Sequence, residues 1–216
     1  MPYPHYTTLF LRQWRRVSLF GIIGLFFAVA VSFVNPLQYS STVRLLISQD
    51  IGTSVDAYTA SRSEERIAQN LATIIYTTTF FGEVLGAGFE IDEKTFSTKD
   101  YKRRNEWRKT VSASVSRGAG ILTVTTYRPD VKQAEQIARA VAFVLTKNAS
   151  EYASGGNVRV RLIDAPLNSR WPVKPNLLAN GVSGLILGGF VGMAYVLLQS
   201  ERVRRRHQLV HEEFIV

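Results

Sequence analysis

Two long apolar runs, 17–34 and 177–198, contain no charged residue and frame this 216-residue chain. At about 1.5 Å of rise per residue, a helix over either run reaches roughly 27 to 33 Å, close to the hydrocarbon thickness of a bilayer. A soluble domain of this size has no use for two helices that are apolar all round, so both runs are expected to be transmembrane helices. The mean hydropathy of +0.01 conceals them, because a polar middle rich in Ser, Thr, Arg and Lys offsets the two runs.

The charges beside the runs set an orientation. Arg12, Arg15 and Arg16 precede the first, and Arg202, Arg204, Arg205 and Arg206 follow the second. Basic residues so close to a span stay cytoplasmic, so segments 1–16 and 199–216 are expected inside and the residues between the spans outside. The chain has no Cys, which excludes a disulfide scaffold and fits an oxidising compartment. A rival reading makes the first run a cleavable signal peptide with Ala28-Val29-Ala30 as the small-residue site. Against it, the apolar run continues through Val31, Phe33 and Val34, and the leader before it is long.

Between the runs the pattern is that of an α+β domain over 35–164. Residues 39–48 alternate, with Val43, Leu45 and Ile47 on one face, which predicts a half-buried strand. Ala60, Ile67, Leu71, Ile74 and Ile75 recur at helical spacing within 56–76, and Asp56 stands where an N-cap belongs. A short helical piece near 80–85 is stopped by Gly86 and Gly88. A very basic helix follows over 99–109. Residues 111–116 and 121–127 alternate around an RGAG turn and predict a β-hairpin. Asp130 then caps a helix striped by Ala134, Ile137, Ala138, Val141, Val144 and Leu145, with Gln133 as its capping-box partner. A last strand covers 158–163. The order strand, helix, strand, strand, helix, strand predicts a split βαβ, ferredoxin-like domain, with an antiparallel sheet carrying its two main helices on one face.

Catalytic signatures are thin. The chain has no Gly-x4-Gly-Lys-Ser/Thr loop and no Gly-x-Gly-x-x-Gly after a strand. His5, His207 and His211 all lie in the terminal segments. Although His207 and His211 have i,i+4 spacing, no metalloprotease Glu accompanies them. The pairs Glu64-Glu65 and Asp92-Glu93 are adjacent in sequence, so they diverge and cannot flank one glycosidic bond. Asn148-Ala149-Ser150 spells a glycosylation sequon, but within a helical pattern. The expectation is a protein that is not an enzyme, with no cofactor, no metal and no nucleic-acid partner. The basic helix, with Tyr101, Lys102, Arg103, Arg104, Trp107, Arg108 and Lys109, reads either as a solvated face resting on its two aromatics or as a contact for a phosphate-bearing lipid or an anionic glycan.

Other motifs belong to membrane architecture. Gly184, Gly188 and Gly192 form one stripe on the second run, fit for close helix packing, either with the first span through Gly21 and Gly24 or between subunits. Pro166, Pro172 and Pro175 punctuate the segment 165–176, where fixed φ and missing donors make a stiff entry to the second span.

The stretch 162–176, LIDAPLNSRWPVKPN, leading directly into a Gly-rich span, resembles the proline-rich segment of the Wzz-type chain-length determinants, the polysaccharide co-polymerases. YSSTVRLLIS after the first span (39–48) and GILTVT (120–125) before Asp130 and an Ala-rich helix carry the resemblance along nearly the whole chain. Two departures stand out. Ser169 occupies a position where the family often has proline, and Pro166 is displaced toward the strand. The outside segment also leaves no room for the extended helical arm of long members. The chain is therefore most similar to short, capsule-type members without a fused kinase.

The resemblance implies a bacterial inner-membrane protein that forms homo-oligomers. It would regulate chain length in O-antigen, capsule or exopolysaccharide synthesis beside a polysaccharide polymerase, with membrane lipid around the spans. It also implies a separate cytoplasmic tyrosine kinase meeting the tail 199–216, where Arg202, Arg204, Arg205 and Arg206 lie at the lipid surface and Phe214, Ile215 and Val216 offer an apolar anchor. The alternative for that tail is a basic stop-transfer end with no partner. Two other classes are a membrane receptor whose outside domain binds a ligand, and a small channel. The receptor calls for an effector domain, and neither span has the polar pore-lining stripe of a channel.

Overall fold

A computed structural model describes residues 12–50, 56–152 and 157–213, with backbone alone for Asp50, Asn157 and 203–213. The chain divides into two compact units, Leu37–Val173 and the flanking pair Met1–Pro36 with Lys174–Val216.

In the flanking unit, helix α1 spans Trp14–Ser32 and helix α7 spans Leu177–Glu213. α1 begins three residues before the expected span and stops two short of its end. Its last turn tightens, with Phe33 N–H donating to Ala30 O and Asn35 N–H to Ser32 O, and Pro36 disfavours helical backbone at Asn35. α7 starts where the Asn176 side chain accepts from Ala179 N–H at 3.1 Å, an N-cap immediately after Pro175. Its 37 residues amount to roughly 55 Å of helix, so the basic stretch after the apolar part continues the same helix. Both α1 and the portion Leu177–Arg202 of α7 are long and apolar enough to cross a membrane.

The central unit is an α+β domain. Its elements are β1 Tyr39–Asp50, α2 Ala57–Ile74, α3 Thr78–Leu85, a 3₁₀ turn Glu93–Thr95, α4 Asp100–Thr110, β2 Val111–Val115, β3 Ile121–Arg128, α5 Val131–Lys147, α6 Ala149–Tyr152 and β4 Asn157–Asn168. The four strands make one antiparallel sheet in the order β2-β3-β1-β4. Period-two patterning decides which face is buried: Val43, Leu45, Ile47, Leu122 and Val124 are fully buried, together with Ala68 and Leu71 of α2 and Ala138, Val141 and Leu145 of α5. Each such large side chain contributes about 1.5–3 kcal/mol by leaving water. The other face shows Ser112, Ser114, Thr123, Thr125, Thr42, Arg44, Leu46 and Ser48. Gly118, at φ +67°, supplies the left-handed residue that the β2–β3 turn requires.

The capping residues mostly behave as their chemistry dictates. Asp56 accepts from Thr59 N–H at 3.2 Å, and Asp130 from Lys132 N–H at 3.0 Å. Gln133 does not close a capping box. Its side chain accepts from Asp92 N–H at 2.9 Å and donates to Glu90 O at 3.1 Å, because the loop before α4 offers it two backbone groups that would otherwise go unpaired. Among the basic-helix residues, Trp107 is buried and donates to Ile75 O at 2.7 Å, whereas Tyr101 stands exposed. Of its two aromatics, only Trp107 anchors the helix. Arg103 lies 5.3 Å from the Phe81 ring centroid and Arg104 donates to the Thr78 hydroxyl, so two of its cations face protein.

Candidate functional site

The helix pair carries the first set of predicted residues. α1 and α7 run antiparallel along a seam where Gly184, Gly188 and Gly192 face Val17, Phe20, Gly21, Gly24 and Ala28. A Cβ on Gly184 would fall 2.5 Å from the Gly24 carbonyl oxygen. One on Gly188 would fall 3.1 Å from the Cα atoms of both Gly21 and Gly24, and one on Gly192 3.0 Å from the Val17 Cα. Backbone meets backbone here, and any side chain would hold the helices apart. In this single chain the stripe packs against α1.

Polar groups close the seam at both ends. Arg16 donates to the Gln199 side chain at 2.5 Å at one end; at the other, the Asn180 amide donates to Ser32 Oγ at 2.8 Å, and Ser32 Oγ donates to Ala28 O. Sequence reading missed Ser32 and Asn180, although an Asn in the first turn of an otherwise apolar helix is a signal for such a contact. Beside the seam runs a groove of ≈ 590 Å³, floored by Gly24, Gly184 and Gly188 and walled by Phe20, Phe27, Leu187 and Val191, with Ser32, Asn35, Asn180 and Ser183 at one end.

The three prolines do not form one segment. β4 continues to Asn168, so Pro166 is a residue of the strand rather than of a linker beginning at 165. An edge strand tolerates this, because the missing N–H costs no ladder bond on the free side. The strand is irregular there: its pairing with β1 shifts register between Thr42 and Arg44 and again between Arg44 and Leu45, where extra β4 residues bulge out. After β4 the chain keeps beside the start of β1. Ser169 N–H donates to Ser40 O at 2.7 Å, Ser40 N–H to Ser169 Oγ at 2.9 Å, and Val173 N–H to Gln38 O at 2.8 Å. Pro172, half-buried, lies inside this laced stretch, and the two chain ends of the central unit leave side by side. Pro175 belongs to the flanking unit and precedes the N-cap of α7.

A carboxylate ties α5 to β4. Glu135 accepts from Arg139 at 2.6 and 3.0 Å and from the Asn168 amide at 2.7 Å. The Asn168 bond, then that to Arg139, holds its carboxyl below the usual range. Glu83 is shared between Asn148, whose amide donates at 2.8 Å, and the Tyr152 hydroxyl. Burial, then the Glu83 bond, pushes that phenol up to about 12. The sequon asparagine is thus engaged inside the fold.

Glu65 is buried and accepts from Gly118 N–H at 3.2 Å and from Gln69 at 3.3 Å, while Glu64 accepts from Gln49 N–H. Among the described residues no cluster of three His, Asp or Glu could hold a metal ion. Arg202 is exposed at the end of the apolar part of α7. Arg204, Arg205 and Arg206 lie on the helical backbone beyond it, with side chains outside the described set, as are those of His207 and His211. His5, Phe214, Ile215 and Val216 lie outside the described residues.

No family model matches the chain, and no curated protein matches it.

Proposed function

We propose that the chain is a non-enzymatic membrane co-polymerase that regulates polymer length in surface-polysaccharide synthesis. The observation that supports it best is the strand order β2-β3-β1-β4, in which the first and last strands are neighbours and the unit's two chain ends emerge together, each continuing into an apolar helix. In this reading the sheet domain is of the split βαβ type and lies outside the membrane. α1 and α7 cross a bacterial inner membrane as a hairpin sealed by the glycine seam, and both termini are cytoplasmic. Copies of the chain assemble beside a polymerase, and no residue does covalent chemistry. The stretch through Pro172 and Pro175 passes the orientation of the domain to α7, and the basic end of α7 meets lipid and a separate tyrosine kinase.

The test is the length distribution of surface polysaccharide on a gel, for the parent strain and for one lacking the chain. The expected result is a shift from a preferred length to a random spread, or loss of the long polymer, reproduced in part by Pro172→Ala with Pro175→Ala. An unchanged distribution in a strain shown to make polymer overturns the reading. Topology is checked separately: the chain has no Cys, so single cysteines at Tyr101 and at Arg202 are unambiguous reporters. A membrane-impermeant thiol reagent added outside should label the first and spare the second.

A further inference from the structure

Three cations gather around the far end of the sheet, of which Lys147 also lies 5.9 Å from the Phe143 ring centroid. Arg159 and Arg161 sit two residues apart on edge strand β4 and so point to the same face, opposite Ser48 and Leu46 of β1. Together with Lys147 at the end of α5 they line a notch of ≈ 540 Å³ that also receives the hydroxyls of Ser48, Thr146 and Ser150. The notch wraps the free edge of β4, with Leu46, Arg159 and Arg161 on one side of the sheet and Val158 and Val160 on the other, and no carboxylate lines it among the described residues. Among the described side chains none of the three cations has a carboxylate partner, whereas Arg44, one row along the sheet, is paired with Asp164 at 3.5 Å.

The notch opens onto a face of unusual composition. The cross-strand rows Ser112–Thr125–Thr42 and Ser114–Thr123–Arg44 pave it with short hydroxyls, and the Thr42 and Thr125 side chains hydrogen-bond each other at 3.0 Å. These rows lack the aromatic platforms on which a sheet stacks nucleobases. Ser48 also lies nine residues along β1 from Tyr39, or roughly 30 Å of strand, from the end where the unit's chain ends leave.

We propose that this notch and the hydroxyl-paved face beside it bind a segment of acidic glycan. The guanidinium groups of Arg159 and Arg161, with Lys147, take its carboxylate or phosphate groups, the Ser and Thr hydroxyls exchange hydrogen bonds with its sugars, and Leu46 supports an apolar ring face. The proposal rests on the co-polymerase reading, because it names the chemistry of the polymer that the domain meets.

The test uses the full chain in lipid nanodiscs and isothermal titration with oligogalacturonate, a maltodextrin of equal length, inorganic phosphate and single-stranded DNA. Saturable binding of oligogalacturonate is expected, with the other three weak. Arg159→Gln with Arg161→Gln should weaken it by about tenfold or more, while Lys94→Gln with Lys132→Gln, at exposed positions outside both the notch and α4, which removes the same charge elsewhere, should leave it within about twofold. All four positions are exposed, and circular dichroism melting checks that both variants remain folded. Absence of saturable binding means that the arginines only protect a strand edge from pairing and overturns the proposal. So does equal loss in both double variants, equal binding of maltodextrin, or competition by phosphate or DNA at equal concentration. The polymer-length gel reports separately: a length effect without binding refutes this site and leaves the co-polymerase reading standing, and binding without a length effect does the reverse.

Discussion

Gly188 lies at the middle of the glycine stripe, where a single added methyl group meets backbone of the facing helix. Its Cβ in Gly188→Ala would lie 3.1 Å from the Cα atoms of Gly21 and Gly24, and nearer still to the Phe20 carbonyl oxygen. Comfortable carbon contacts lie near 3.5–4.0 Å, so the helices must part by about 0.5–1 Å, a gap that forfeits roughly a quarter to a half of each dispersion contact. With about 50 atom pairs along the seam at ~0.15 kcal/mol each, losing a third costs about 2–3 kcal/mol, or about 30- to 150-fold in the packed-to-separated equilibrium. Gly189→Ala is the control, because its Cβ meets nothing within 4 Å. The reporter is a disulfide between Ser32→Cys and Asn180→Cys, whose parent side chains are bonded at 2.8 Å in a chain with no native Cys. Disulfide yield under mild oxidant is followed as SDS is titrated into micelles. Gly188→Ala should lose cross-linking at a clearly lower SDS fraction than either the parent or Gly189→Ala. Coincident curves for Gly188→Ala and Gly189→Ala would refute the argument that backbone contact holds the pair.

Three further outcomes concern the central unit. Trp107→Phe keeps most of the buried ring but removes the 2.7 Å bond to Ile75 O, leaving a buried carbonyl unpaired at a cost of about 1–3 kcal/mol, read as a lower denaturant midpoint with an unchanged m-value. The Glu135 carboxyl is depressed below its ordinary value of 4.5 by Asn168 and Arg139. Its contribution is therefore present above that value and fades as pH falls below it, and Glu135→Gln should flatten the acid side of the stability profile measured by chemical denaturation. Tyr152 has the opposite sign: with its phenol raised from 10.0 to about 12, its contribution is intact below pH 10.0 and is lost as pH rises toward 12. At pH 11 Tyr152→Phe should therefore lose much less tyrosinate absorbance than one ionised phenol contributes, whereas a phenol of ordinary pKa would cost nearly its full share.

Most elements were legible in the sequence because local periodicity is a local property. The alternation of Val43, Leu45 and Ile47 fixed both a strand and its buried face, and Asp130 with the stripe from Ala134 to Leu145 gave the start and the core face of α5, but a terminator read at Gly155-Gly156 missed that α5 ends at Lys147 and that Ala149–Tyr152 is a separate helix. Asp56 and Asp130 cap as their side chains allow at short range. Pro166 misled because a proline reads as a strand end unless the strand lies at a sheet edge, and edge position is decided by pairing. Gln133 misled for a related reason: a side chain three residues from an N-cap has two sets of partners, and the loop that won lies some forty residues away.

By itself the sequence determined the two apolar helices, the basic residues beside them and the order of strands and helices between them, since each depends on neighbours within a few turns. Only the tertiary structure decided that the glycine stripe faces Gly24 and Phe20 of the same chain, that Glu135 joins α5 to β4, and that Arg159, Arg161 and Lys147 surround one notch. Those relations join residues far apart in the chain, and which of them form is settled by strand pairing and close packing, on which periodicity carries no information.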